Sequence, residues 1–180
     1  MHYISILYTD LIMDPVLYKY YKVENLSKLK KPTRDSIEEI MSLHRNRSFN
    51  IEEFAQETPG AYLLIGVGED GRVISMLRLF GLTKAIRKRV GYTGQMVGTG
   101  YINALVVARA FRGKGYGTEL MTFAKKLAKK LGFKKLLLEV VSANGPAMKL
   151  YLTSGFSLIS SHYWGNESAH LMECKLNGEK

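Results

Sequence analysis

The chain has little of what marks extracellular or membrane-embedded proteins. Cysteine occurs once, at Cys174, so no internal disulfide can form, which suits a reducing cytoplasm. The longest uninterrupted apolar runs, such as Ala104–Ala108, fall far short of the ~20 residues a membrane helix needs. The opening MHYISILYTD has no basic segment, and Asp10 and Asp14 come early, so no signal peptide is expected. Only four prolines are present and no Pro/Gly-rich stretch, repeat or low-complexity segment divides the chain. Its 180 residues therefore read as one domain, 1–180, with 1–16 as an added arm or strand. The four histidines (2, 44, 162, 170) show no spacing such as HxxxH, and no metal is expected.

What is abundant is positive charge: 26 Lys and Arg face 16 Asp and Glu, a formal net charge of +10. An anionic partner is implied, with nucleic acid, an acidic membrane or a phosphorylated small molecule as candidates. Position narrows the choice. Residues 98–180 hold 12 basic and five acidic groups, and eight of the basic ones fall in Arg112–Lys135, where Glu119 is the lone acid. The excess is local.

Periodicity gives the order of elements. Tyr18–Val23 has strand composition, and the segment from Pro32 through about Leu43 has helical spacing at Ile37, Ile40, Met41 and His44. A short helix is expected over Ile51–Gln56. Strands over Ala61–Val67 and Arg72–Phe80 flank a hairpin turn at Gly68–Gly71. Residues 81–100, with five glycines and Lys84, Arg87, Lys88 and Arg89, read as a long strand-to-strand excursion. Tyr101–Val107 is a strand and Thr118–Leu131 an amphipathic helix stopped by Gly132. Lys135–Val141 is nearly all apolar, as in a strand covered on both faces. Pro146 opens a helix through Tyr151, and Ser157–Tyr163 and Ala169–Leu176 close the chain as an antiparallel pair. This order implies an α/β, mixed α+β fold: a mixed sheet with helices packed on it.

Two glycine motifs compete for a phosphate-binding role. Gly66-Val67-Gly68-Glu69-Asp70-Gly71 satisfies GxGxxG, but the β-prone Arg72–Leu77 follows it. No helix N-terminus is then available for a pyrophosphate, and the motif reads as a hairpin. Arg112-Gly113-Lys114-Gly115-Tyr116-Gly117-Thr118 instead joins a strand to a strong helix. Its glycines let successive N–H groups converge on phosphate oxygens, Arg112 and Lys114 add charge, and Thr118 adds a hydroxyl. It is not a P-loop, because GxxxxGK[ST] is absent.

Arg112-x-x-Gly115-x-Gly117 resembles the Q/R-x-x-G-x-G/A motif of the GCN5-related N-acetyltransferase (GNAT) superfamily, preceded by Leu105-Val106-Val107 as in that family. Leu138-Glu139-Val140, then Asn144-x-x-Ala147-x-x-x-Tyr151 and Gly155-Phe156, are similar to its second conserved block. Tyr163 and Met172 resemble residues in the closing hairpin of ribosomal-protein N-terminal acetyltransferases. The resemblance covers about 101–176; residues 1–60 match only in element order. It implies a GNAT-like mixed central sheet with helices on both faces and a splayed strand pair. It also implies acetyl-CoA as donor: the pyrophosphate in the 112–118 loop, the pantetheine along Leu105, Val106 and Val107, and Asn144 bonded to the pantetheine. An N–H of the same strand can face the thioester oxygen. Asn144 can equally cap the helix at Pro146.

By the same resemblance Glu139 accepts the amine proton and Tyr151 donates to the CoA sulfur. A mid-strand Glu on an apolar strand costs desolvation unless it has a task, or a nearby Lys or hydroxyl to pair with. Asn103 stands where some family members place a Glu base, so a base from that strand is in doubt; Glu139 or a water relay is favoured. Asn103 and Tyr163 are acceptor-side candidates. Cys174 has no neighbouring His or acid in sequence, which argues against a covalent cysteine mechanism. The expectation is a cytoplasmic transferase acting on a primary amine of a protein, peptide or small molecule, with a homodimer left open. The alternatives are a CoA-binding sensor without chemistry and a basic nucleic-acid module. The second lacks aromatics interleaved with its basic residues, so neither nucleic acid nor membrane is the expected partner.

Overall fold

The computed structural model describes residues 16–23, 26, 29–45 and 60–176. The elements are β1 (Leu17–Lys22), α1 (Lys31–Arg45), β2 (Tyr62–Val67), β3 (Val73–Gly81), α2 (Lys84–Arg89), β4 (Thr99–Val107), α3 (Tyr116–Lys130), β5 (Lys135–Val141), α4 (Gly145–Thr153), β6 (Ser157–Trp164) and β7 (Glu167–Lys175). A single 3₁₀ turn, Arg109–Phe111, stands between β4 and α3. The strands hydrogen-bond in the order β1-β2-β3-β4-β5-β7-β6. The chain forms two compact units: residues up to Arg78 with Ala104–Leu120, and Leu79–Asn103 with Met121 onward. The helix expected over 51–56 and the arm at 1–16 lie outside the described residues, apart from Val16.

In the first unit β1 and β2 are antiparallel, Leu17 opposite Val67 through Lys22 opposite Tyr62. Leu63, Leu64 and Ile65 of β2 are fully buried, and so are Ile37 and Met41 of α1, which accounts for the helical spacing of those apolar residues. The GxGxxG segment is indeed a turn: Gly68 N–H donates to the Arg72 carbonyl and Gly71 N–H to that of Gly68. Gly66 serves packing. A Cβ there would sit 2.5 Å from Ser75 Oγ and 2.9 Å from the Tyr18 ring.

In the second unit the excursion at 81–100 is partly helical. Thr83 Oγ1 accepts from Ile86 N–H and caps α2, while the basic Arg87, Lys88 and Arg89 complement its C-terminal end. The glycine content had hidden this six-residue helix. β5 pairs antiparallel with β7, and β7 with β6. α3 begins at Tyr116, two residues before the expected start, so the end of the glycine loop is its first turn. Leu120, Ala124, Leu127 and Ala128 are buried, and Lys126, Lys129 and Lys130 exposed, as the stripe requires. Lys125 departs from that solvated face: its Nζ donates to the Ser154 carbonyl at the C-terminus of α4 (2.9 Å).

β4 and β5 run parallel, but their ladder joins only Thr99–Ile102 to Lys135–Leu138, although β4 continues to Val107 and β5 to Val141. The parallel pairing ends there. Ala104 is the one non-glycine with positive φ (56°) among the described residues, a conformation that interrupts strand pairing in the manner of a bulge. Glycine is irreplaceable at Gly66 for a different reason, lack of space. Gly66→Ala should lower stability by about 1–3 kcal/mol, the usual cost of overpacking, measured by urea unfolding; a variant as stable as wild type would refute the close packing of β2 on Tyr18 and Ser75.

Candidate active site

The second unit contains a cluster of ionisable side chains on one face of its sheet. Glu139, on β5, is one residue past the end of the β4 ladder. Its side chain is 3 % exposed although the residue as a whole is only half-buried, so the accessible part is backbone. Every lone-pair position of the carboxylate is engaged. Oε1 accepts from Arg89 Nη1 (3.3 Å) and lies 2.7 Å from His162 Nε2. Oε2 accepts from Arg89 Nη2 (2.5 Å) and from the Tyr101 hydroxyl.

Strand register explains the assembly. In the parallel pair Tyr101 stands opposite Leu137, so its side chain shares a face with Glu139 two residues on. Across β7, Glu139 pairs with Leu171, Val141 with Ala169, and Ala169 with His162. His162 therefore reaches Glu139 from two strands away, over the small Ala169. Arg89 comes from the end of α2, the basic run whose purpose was not visible in sequence. Burial and the carboxylate push the Tyr101 phenol well above its ordinary value, so it stays a donor. The Arg89 guanidinium is also raised, against its own desolvation, by Glu139 and Tyr101. His162 Nδ1 is buried and has no hydrogen-bond partner.

Tyr151, on α4, is buried with its ring 6.1 Å from that of Phe156. Desolvation pushes its phenol up to about 12. Asn144 is the N-cap of α4, its Oδ1 accepting from Ala147 N–H at 3.2 Å, and is exposed. Asn103 is half-buried, and Tyr163 is 80 % exposed on β6. The Lys135 ammonium and the Tyr92 hydroxyl both donate to Glu173 Oε2, at 3.2 Å each.

The glycine loop belongs to the first unit. Gly113 and Gly115 have φ of 77° and 87°, and a Cβ on Gly113 would meet open space. Thr118 and Glu119 N–H groups donate to the Gly115 carbonyl, which sets the loop at the head of α3. Arg112 Nε donates to the Val107 carbonyl (3.1 Å), and Lys114 Nζ lies over the Phe111 ring (5.6 Å). Tyr116 is buried edge-on to Phe111, so only its backbone faces outward from the loop. Glu119, the acid in this basic stretch, is bonded by the Tyr18 hydroxyl (2.8 Å). Leu105 and Val107 are half-buried and Val106 buried. Among the described residues no group of three or more His, Cys, Asp or Glu could hold a metal, and no helix is long and apolar enough to cross a membrane.

Arg89, Tyr101 and His162 were missed in sequence. The signal in the sequence was Glu139 itself: a buried carboxylate demands donors, and on a central strand those donors come from its neighbours. The Tyr151 shift has a measurable consequence. A phenol raised in the folded state is neutral in both states below pH 10, so its contribution is intact there. Stability should then fall as pH rises from 10 towards 12, by about 2–3 kcal/mol for this group. Tyr151→Phe should lose that much less over the same interval, read by chemical denaturation; identical slopes would contradict the burial of Tyr151.

Known proteins converge on one family. Over 75 residues the chain is 36 % identical to an uncharacterized N-acetyltransferase, YobR, of Bacillus subtilis (strain 168); the match takes in 42 % of this chain and only 30 % of that protein's length. The fold matches that of yncA, a putative acetyltransferase from Salmonella typhimurium solved with acetyl-CoA (TM-score 0.64, 14 % identity, 92 % of this chain and 96 % of that one). It also matches the ribosomal-protein-S18-alanine N-acetyltransferase from Escherichia coli (TM-score 0.61, 16 % identity, 91 % and 96 %). The Acetyltransferase (GNAT) family model matches residues 24–156, a span that includes the glycine loop, Glu139 and Tyr151, and the chain belongs to that family.

Proposed function

We propose that the chain is an acetyl-CoA-dependent N-acetyltransferase, working as one domain in the cytoplasm and transferring the acetyl group directly to a primary amine of a protein, peptide or small molecule. The observation that carries this reading is the loop 112–118, in which Gly113 and Gly115 adopt left-handed conformations at the head of a fifteen-residue helix. That is a place where backbone N–H groups and the helix dipole favour a pyrophosphate. Arg112 and Lys114 supply charge, Gly113, Gly115 and Gly117 supply backbone without bulk, and Thr118 supplies a hydroxyl. The backbone of Leu105, Val106 and Val107, beyond the reach of the β5 ladder, pairs with the pantetheine. Asn144 adds a bond to the same arm while capping α4. Tyr163, exposed on β6, and Asn103 contact the acceptor.

Transfer requires removing a proton from the ammonium and stabilising the leaving sulfur. Proton acceptance belongs to the buried cluster that Glu139 anchors. Tyr151 serves the sulfur, and its phenol near 12 decides how. Handing a proton fully to a thiolate of ordinary pKa, near 8.5, would be uphill by about 5 kcal/mol. Tyr151 therefore acts chiefly as a hydrogen-bond donor to the developing thiolate, passing its proton only as the amine proton replaces it.

Two measurements test this. Acetyl-CoA at millimolar concentration should raise the melting temperature through linkage, and no shift would sink the donor assignment. A screen of peptides and small primary amines, followed by CoA release, should identify the acceptor; a thermal shift without turnover on any amine would instead favour a CoA-binding sensor. With the acceptor in hand, Tyr151→Phe should lower kcat about 10²-fold, and an unchanged kcat would remove Tyr151 from the mechanism.

A further inference from the structure

The lone pairs of the Glu139 cluster can be counted. A carboxylate offers about four acceptor sites, and all four are taken: two by Arg89, one by Tyr101 and one by His162. An amine proton has no open position on Glu139. Arg89 has no lone pair to offer. Tyr101 gives its proton to Glu139, and burial beside that carboxylate holds the phenol protonated. One acceptor is left. His162 is anchored through Nε2 at 2.7 Å from Oε1, and a carboxylate paired with Arg89 requires that nitrogen to carry the hydrogen. The other ring nitrogen, Nδ1, is then an unprotonated lone pair, and it is the atom that is buried without a partner.

The geometry points to His162 as the residue that receives the acceptor's proton, with Glu139 as a positioning residue that fixes its tautomer and Arg89 and Tyr101 fixing Glu139 in turn. This rests on the transferase reading and deepens it. The ammonium gives one proton to His162 Nδ1, forming an imidazolium whose Nε2–H stays on Glu139. The freed amine lone pair attacks the thioester carbon, forming the C–N bond and moving the C=O pair onto oxygen. Collapse breaks the C–S bond. The sulfur takes a proton through Tyr151, which recovers one from the amide nitrogen, and the imidazolium releases its proton to solvent, so the net products are amide, thiol and one proton. A buried carboxylate–imidazole pair of this kind sets tautomer and orientation more than it accepts protons itself.

The test uses the full chain labelled with ¹⁵N-histidine, the His162 signals being assigned by their loss in His162→Gln. Neutral His162 should show a protonated Nε2 and an unprotonated Nδ1, and Glu139→Gln should shift the population towards the other tautomer. A hydrogen on Nδ1 in the wild type overturns the inference, as does a tautomer indifferent to Glu139→Gln; neither result depends on CoA or on an acceptor. With the primary amine identified by CoA release, His162→Gln should lower kcat by about 10²–10⁴-fold while KM for acetyl-CoA and its thermal shift stay near wild type. The retained shift shows that the variant is folded. A kcat within about twofold of wild type overturns the inference. Failure of wild-type protein to respond to acetyl-CoA would instead strike the transferase reading, leaving the tautomer experiment to decide the pair.

Discussion

A buried negative charge organises the second unit. Glu139 has a side chain only 3 % exposed, and an ionised carboxylate in that position is tolerable only when its hydrogen-bond sites are filled. The chain fills them from three separate elements: Arg89 at the end of α2, Tyr101 near the start of β4, and His162 on β6. The requirement explains features that otherwise look unrelated. The segment after β3 turns helical through Thr83 and so delivers Arg89, while a residue as small as Ala169 stands on the strand between His162 and its partner.

The same neighbourhood shows how strand pairing and chemistry are linked. While β4 and β5 remain paired, their backbone groups satisfy each other. Past Ile102 and Leu138 they do not, and the left-handed Ala104 follows within two residues. A non-glycine residue in that region is strained by about 1–3 kcal/mol, and the strain sits just past the end of the β4–β5 ladder. Glu139 is the first β5 residue past the ladder. Its backbone still pairs with β7 opposite Leu171 while its side chain is sealed, so the position fixes a charge at the point where pairing with β4 ends.

Sequence carried the fold further than the site. Strands such as β5 were legible because their apolar runs are short and β-rich, and α3 because its apolar stripe and lysine face separate at helical period. The glycine loop was legible because glycines between a strand and a helix have few other purposes. α2 was not, since five glycines around a basic run mimic a loop, and a six-residue helix has too few turns to show periodicity. The donors to Glu139 were invisible for a deeper reason. Arg89, Tyr101 and His162 lie 50, 38 and 23 residues from it, and only strand register, which sequence does not display, brings them together. Lys125 illustrates the converse: its spacing placed it on a solvated face, yet its long stem lets the ammonium reach the Ser154 carbonyl.

The net charge of +10 can now be apportioned. Arg112 and Lys114 flank glycines whose backbone is turned to the head of α3, the natural place for a polyanionic cofactor. Lys125 neutralises the C-terminal end of α4, and Lys135 is spent on Glu173 beneath Tyr92. Arg89 is bound to Glu139. Thus several cations that looked like one anion-attracting surface have separate structural partners, and the basic composition is weak support for nucleic-acid binding. What remains is the exposed face of α3, with Lys126, Lys129 and Lys130, and the loop itself, where charge, glycine conformation and helix dipole act on the same few ångströms. Charge counted along a chain says little about a partner until each cation is followed to the group it already holds.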